Sequence, residues 1–172
     1  AAAVAVALGG PVDDAWAARL RAYAPEGMRM RPEEGRGGVT VLNDAYNSSP
    51  ASCASALESL ASLPCPGKRV VLLGDMLELG RGARRYHEEA LGLARRVVGA
   101  GGVVGATGPI FGSVCRARAG SAGGALWAES PGRLAEAVVG DLGPGDVVLV
   151  KGSRGQRMEA AVSVLMGEGG PT

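Results

Sequence analysis

From residue 39 onward the chain repeats one unit, a short apolar run followed by a helical pattern. No other feature limits the possible folds so strongly. The runs lie at 39–42, 69–73, 102–106, 125–127 and 146–150, and helices are predicted over 51–62, 83–98, 109–117, 131–139 and 156–166. Unbroken apolar runs mark strands covered on both faces, because a sheet wet on one side alternates polar and apolar residues. Successive strand–helix–strand units cross over in one hand and lay their strands parallel. The expected fold is therefore α/β, a mostly parallel sheet with helices on both faces. Aromatic residues make up only 3% of the chain, so its core has to be built from Ala, Val and Leu.

Local signals agree with this pattern. Ser49 is a good N-cap, and Pro50 suits a first helical position, where its missing N–H is an orphan anyway. The helix that follows carries Ala54, Leu57, Leu60 and Ala61 on one side. Over 83–98, Tyr86, Ala90, Leu93, Ala94 and Val97 recur at helical spacing. Ser130 and Pro131 repeat the cap-and-proline opening.

Ahead of the repeat the pattern changes. Residues 1–8 read as the end of a helix stopped by Gly9-Gly10-Pro11, and Asp13 or Asp14 caps a second helix with Trp16, Leu20 and Tyr23 on its apolar face. A chain that opens in mid-helix reads as a piece of something longer. Residues 167–172 are expected to fray.

Composition excludes several function classes. A formal net charge of +1 leaves no electrostatic footprint for nucleic acid or acidic lipid. Cys53, Cys65 and Cys115 are far apart, no Cys-x-x-Cys spacing exists and His87 is the lone histidine, so a zinc site is excluded. Such cysteine usage fits a reducing, intracellular compartment. The apolar stretch at 1–8 is too short to span a bilayer.

Three polar blocks directly follow apolar runs: 44–49, 74–75 and 151–154. In a parallel sheet they fall along one edge, at the carboxyl ends of the strands, where open α/β sheets bind ligands. Strand order, which the sequence does not supply, decides whether they converge. Asp44, Tyr46 and Asn47 bring an acid, a phenol and an amide; Asp44 could equally bond its own turn. Asp75 ends the second run and could cap the following turn. Lys151, Ser153 and Arg154 form a cationic, hydroxyl-bearing turn that opens the last helix. Arg and Lys suit a carboxylate or phosphate, and N–H groups at a helix start attract anions. No Gly-x-x-x-x-Gly-Lys-[Ser/Thr] and no Gly-x-Gly-x-x-Gly occurs, so the chain has no phosphate-cradling loop of its own.

Asn43-Asp44-Ala45-Tyr46-Asn47-Ser48-Ser49-Pro50 resembles the Asp-x-Tyr-Asn-Ala-Asn-Pro signature of the Mur ligases, in the version of the members that add D-alanyl-D-alanine. Leu72-Leu73-Gly74-Asp75-Met76-Leu77-Glu78-Leu79-Gly80, with His87 after it, resembles a second block of the same members. Val150-Lys151-Gly152-Ser153-Arg154, followed by Met158-Glu159, resembles a third. The resemblance implies a Rossmann-like C-terminal domain over 29–166, with 1–28 the end of a central ATP-binding domain and its linker. It implies an ATP- and magnesium-dependent ligase that joins D-alanyl-D-alanine to UDP-N-acetylmuramoyl-tripeptide through an acyl phosphate. Most of the ATP and Mg2+ contacts would lie in the central domain, so this chain alone would be inert. By the same resemblance Arg29, Asp44, Tyr46 and Asn47 face the nucleotide, Asp75 and Lys151 belong to the closed catalytic site, and Ser153, Arg154 and His87 face substrate. The implied setting is a cytoplasmic monomer, or the plastid stroma of a photosynthetic eukaryote, with its own central and N-terminal domains as partners. Ser48-Ser49 departs from the usual Ala-Asn. A sister amino-acid-adding ligase and a non-catalytic Rossmann-like binding module stand as alternatives.

Overall fold

The apolar runs become strands and the helical patterns become helices. The computed structural model describes residues 30–117 and 124–168. The strands are β1 (Arg31–Glu34), β2 (Thr40–Asp44), β3 (Arg69–Gly74), β4 (Val103–Thr107), β5 (Leu126–Ala128) and β6 (Val147–Lys151). The α-helices among the described residues are α1 (Pro50–Ser62), α2 (Ala83–Val98), α3 (Pro109–Ala117), α4 (Pro131–Val139) and α5 (Glu159–Met166). All six strands form one sheet in the order β1-β2-β6-β3-β4-β5. Every pairing is parallel except β1 with β2, so the last strand in sequence lies between β2 and β3.

That order follows from handedness. The steps β2 to β3, β3 to β4 and β4 to β5 all run the same way across the sheet, with α1, α2 and α3 packed on one face. The step from β5 back to β6 runs the other way, and a right-handed crossover then has to use the opposite face. There α4 and α5 pack together. Side chains alternate between the two cores as a pleat requires: Val71, Leu73 and Leu149 point into one, Val70, Leu72, Val148 and Val150 into the other.

Both serine caps form. Ser49 Oγ accepts from Ser52 N–H at 3.2 Å while Ser52 Oγ accepts from Ser49 N–H at 2.9 Å, a reciprocal capping box. Ser130 Oγ accepts from Arg133 N–H at 3.3 Å. The cap sets the rotation of α1, and its buried stripe is Cys53, Ala56, Leu57 and Leu60. Ala54 is only half-buried and Ala61 is exposed, contrary to the expected face. In α2 the buried stripe is His87, Ala90, Leu91, Ala94 and Val98, with Tyr86, Leu93 and Val97 on its margins.

Two further differences bear on the site. The ladder runs past the apolar runs: Asp44 pairs in register with Lys151, and Gly74 with Thr107. Asp44 and Lys151 therefore end strands instead of starting turns. The last helix begins only at Glu159, because 154–156 is a 3-10 turn and Arg157 takes a left-handed φ of 51°. The edge strand β1 precedes the first apolar run and is not among the expected strands. Gly167 and Glu168 do not fray: Gly167 adopts φ 77°, and Glu168 N–H donates to Ser163 O at 2.9 Å. The expected helices before residue 29, Arg29 itself and residues 169–172 lie outside the described residues. Among the described residues no helix is long and apolar enough to cross a membrane.

Candidate functional site

The carboxyl ends of β2, β6 and β3 are adjacent, so the three polar blocks converge. The chain leaves β2 toward one face of the sheet and β6 toward the other, and a crevice opens where those exits diverge. A cleft of about 530 Å³ lies there, lined by Tyr46, Asn47, Ser48 and Ser49 from the first loop, Leu77 and Glu78 from the second, and Ser153, Arg154 and Gly155 from the third. That size suits a small ligand or one end of a larger one.

Beneath the cleft is a buried polar scaffold. Lys151 is 1% exposed, and its Nζ donates to Asp44 Oδ2 at 2.6 Å and to Asn47 O at 2.9 Å. The ammonium thus neutralises its register partner and also fixes the backbone of the first loop. Ser153 joins all three loops. Its Oγ donates to Ser48 O at 3.2 Å and accepts from Leu77 N–H at 2.9 Å, while its own N–H donates to Asp75 O at 3.2 Å.

Asp75 is fully buried, and its two carboxylate oxygens accept from Ile110 N–H and Phe111 N–H, each at 2.9 Å. It caps α3 from a distance and stabilises the helix end electrostatically. Gly108 makes this approach possible. It sits at φ 103°, and a Cβ there would lie 2.5 Å from the Asp75 carboxyl carbon.

His87 is also fully buried. Its Nδ1–H donates to Ala83 O at 2.6 Å, which leaves Nε2 to accept from Met76 N–H at 2.9 Å. Both ring nitrogens are occupied by a neutral imidazole, so the 3.6 Å approach of Nε2 to Asp75 Oδ1 is not a charged pair. Phe111 packs edge-on against the ring at 4.5 Å between centroids. Cys53, buried on α1, has its thiol pushed up to about 11, chiefly by burial, with the Lys151 ammonium opposing and the Asp44 carboxylate adding.

These placements divide the expected site residues. Tyr46, Asn47 and Arg154 are exposed and line the cleft. Asn47 Oδ1 accepts from Ser48 N–H at 2.8 Å, which orients its amide. Ser153 reaches the cleft wall, with its hydroxyl already bonded on both sides. Asp44 at 9% exposure, Lys151, Asp75 and His87 lie beneath the surface. The polar atoms of Asp75, Lys151 and His87 are bonded within the loops and helix starts that surround the cleft, so none of the three offers it a free polar group. The expected anion-attracting helix start at Arg154 is corrected, since α5 opens five residues later at Glu159.

Leu77 and Glu78 line the cleft without having been singled out by chemistry, although the second block contains them. Gly74 and Gly152 were missed as well. A Cβ on Gly152 would meet Met158 Cγ at 2.6 Å and Gly74 Cα at 3.1 Å, so the ends of β3 and β6 close up only because both are glycine. Met158 is fully buried against them, which explains why the third block extends to that residue.

The family model for the Mur ligase, glutamate ligase domain, matches residues 28–154. The UDP-N-acetylmuramoyl-tripeptide–D-alanyl-D-alanine ligase of Mycobacterium tuberculosis is 34% identical to this chain, over 98% of the chain and 36% of that protein. The enzyme of the same name in Bacillus subtilis is 43% identical over 63 residues, 37% of the chain and 14% of that protein. The crystal structure of a MurF ligase from Thermotoga maritima in complex with ADP superposes with a TM-score of 0.74 at 27% identity, covering 96% of this chain and 36% of that one. The chain thus spans about a third of the length of the M. tuberculosis and T. maritima relatives. A parallel sheet with β6 inserted between β2 and β3, and motif-bearing loops gathered at one crevice, agree with that match, and the chain belongs to the Mur ligase family, whose C-terminal domain it carries.

Proposed function

We propose that the chain is part of an ATP-dependent ligase that joins D-alanyl-D-alanine to UDP-N-acetylmuramoyl-tripeptide. The observation that carries this reading is the convergence of its three polar loops on one cleft, in a chain similar along 98% of its length to the M. tuberculosis ligase of that name. ATP would supply the phosphoryl group that turns the tripeptide carboxylate into an acyl phosphate. This chain's part is to bind and orient. The exposed Arg154 guanidinium suits the terminal carboxylate of the dipeptide. Tyr46 and Asn47 offer a ring and an amide to the nucleoside, in keeping with the ADP complex of the T. maritima relative. Asp44, Lys151, Ser153, Asp75 and His87 hold those contacts in register.

Among the described residues no group of three or more His, Cys, Asp or Glu could hold a metal ion. By the family resemblance we assign most of the Mg2+ and ATP-phosphate contacts to a central ATP-binding domain. Residues 1–28, which fall within the reach of the mycobacterial match, are read as the end of that domain, and 29–166 as the domain that closes on it. A reaction that consumes ATP and a nucleotide-linked precursor places the enzyme in the cytoplasm.

The test is phosphate release by the protein as encoded, with ATP, the nucleotide-linked tripeptide and either D-alanyl-D-alanine or single amino acids. Release that requires the dipeptide is expected. Release with a single amino acid and none with the dipeptide would overturn the reading. The 172-residue chain by itself is expected to release none.

A further inference from the structure

Two charges on the cleft wall have no use in the scaffold. Glu78 and Arg154 are both exposed and both line the cleft, and neither side chain makes an ion pair or hydrogen bond among the described residues. Their loops are nevertheless in contact. A Cβ on Gly155, next to Arg154, would lie 2.9 Å from Leu77 Cδ1, next to Glu78. Opposite charges on touching loops would ordinarily close into a surface pair, and these two stand apart.

Glu78 is also held in a conformation that its side chain opposes. Its φ is 63°, in the left-handed region that glycine and asparagine adopt with least strain. The backbone around it is over-determined: Met76 N–H is fixed by His87 and Leu77 N–H by Ser153. Strain of this kind persists only where the surrounding structure over-determines it, and it clusters at ligand sites. A glycine would fit this turn more easily, and it would remove the carboxylate.

An anion and a cation on neighbouring loops of one cleft, unpaired with each other, are complementary to a ligand that carries both charges. A fully extended dipeptide spans about 7 Å, so its two ends can engage two different side chains of one cleft. We propose that Glu78 is a substrate-binding residue whose carboxylate receives the ammonium group of the incoming dipeptide, while Arg154 holds the carboxylate at its other end. This rests on the proposed ligase reading and adds the recognition of the amine.

The experiment measures binding of D-alanyl-D-alanine and of N-acetyl-D-alanyl-D-alanine, which lacks the ammonium, to the protein as encoded and to its Glu78→Gln and Glu78→Gly variants, by NMR titration. The wild type is expected to prefer the free dipeptide by about tenfold, the effect of one charge-assisted contact. Both variants should bring that ratio close to one by weakening only the free dipeptide, with the KM for ATP unchanged. A merely structural role for Glu78 would weaken both ligands together and leave the ratio intact. Glycine relieves the backbone at this position, so Glu78→Gly keeps the fold if glutamine does not. An unchanged ratio in a protein that still ligates the dipeptide overturns the role of Glu78 alone. A wild-type protein that neither binds nor ligates the dipeptide overturns this inference together with the ligase reading.

Discussion

Replacing Lys151 separates a positioning role from a reactive one. The ammonium is 1% exposed and the facing Asp44 is 9% exposed, so Lys151→Ala leaves a carboxylate with little water and no counter-charge. The same change strips the Asn47 carbonyl of its 2.9 Å donor. Breaking a buried pair from one side costs about 3–5 kcal/mol, a large fraction of the about 5–15 kcal/mol that holds a domain folded. In a domain of this size that lowers Tm by roughly 6–20 °C. Urea unfolding followed by circular dichroism measures the loss. The decisive variant is the double one, Lys151→Met with Asp44→Asn, which removes both charges and retains the stem volume. It should recover most of the lost stability, because a whole buried pair can be exchanged for neutral groups at little net cost. Binding of D-alanyl-D-alanine should return with the fold. A double variant that is stable and binds D-alanyl-D-alanine as the wild type does, yet turns over nothing, would refute a purely positioning role and restore Lys151 to the chemistry. A single variant that loses less than about 1 kcal/mol would show that the pair is not desolvated.

Three other outcomes are expected. Asp75→Asn keeps the shape but replaces one of the two acceptor oxygens with a donor, so either Ile110 N–H or Phe111 N–H loses its partner; a loss of about 1–3 kcal/mol in urea unfolding is expected, with faster hydrogen exchange at those two amides. Gly152→Ala pushes a methyl to 2.6 Å from Met158 Cγ and 3.1 Å from the Gly74 Cα, which is backbone and cannot swing away; it should cost about 1–3 kcal/mol, and more than the same change at the open Gly132. Cys53, with its thiol raised from 9.0 to about 11, should resist a thiol reagent at pH 8 until urea unfolds the chain, whereas the partly exposed Cys65 and Cys115 react first. Because the folded thiol holds its proton to a higher pH than the unfolded one, the stability linked to it is complete below about pH 9 and is lost as pH rises through about 11.

The architecture was legible because each unit announces itself. An apolar run, a cap such as Ser49 or Ser130 and a proline at the first helical turn are local signals, and the helices at 83–98, 109–117 and 131–139 fall where the sequence pattern places them. Strand ends were misread by one or two residues for a physical reason. A parallel ladder continues as long as its neighbour supplies partners, and the neighbour of β2 is β6, more than a hundred residues away. No local window around Asp44 contains Lys151. Strand order was illegible for the same reason, since it depends on which way the chain turns after β5.

The division of the site into scaffold and contact surface was harder to read. A motif collects every residue that the site needs, and in this fold the need is of two kinds. Loops at the carboxyl ends of three adjacent strands must be held together, and buried polar groups do this only if each donor finds its acceptor. Lys151, Ser153, Asp75 and His87 meet that demand, and the polarity that suggested chemistry also serves the fastening. The residues left for a ligand are those whose groups the fastening does not consume. A capping glutamate or a solvated one would look the same in sequence as Glu78. The left-handed backbone and the unpaired Arg154 on the neighbouring loop single it out, and both are properties of the folded chain. In this protein a candidate contact is therefore better sought among polar groups that the scaffold leaves unsatisfied than among those the motif makes conspicuous.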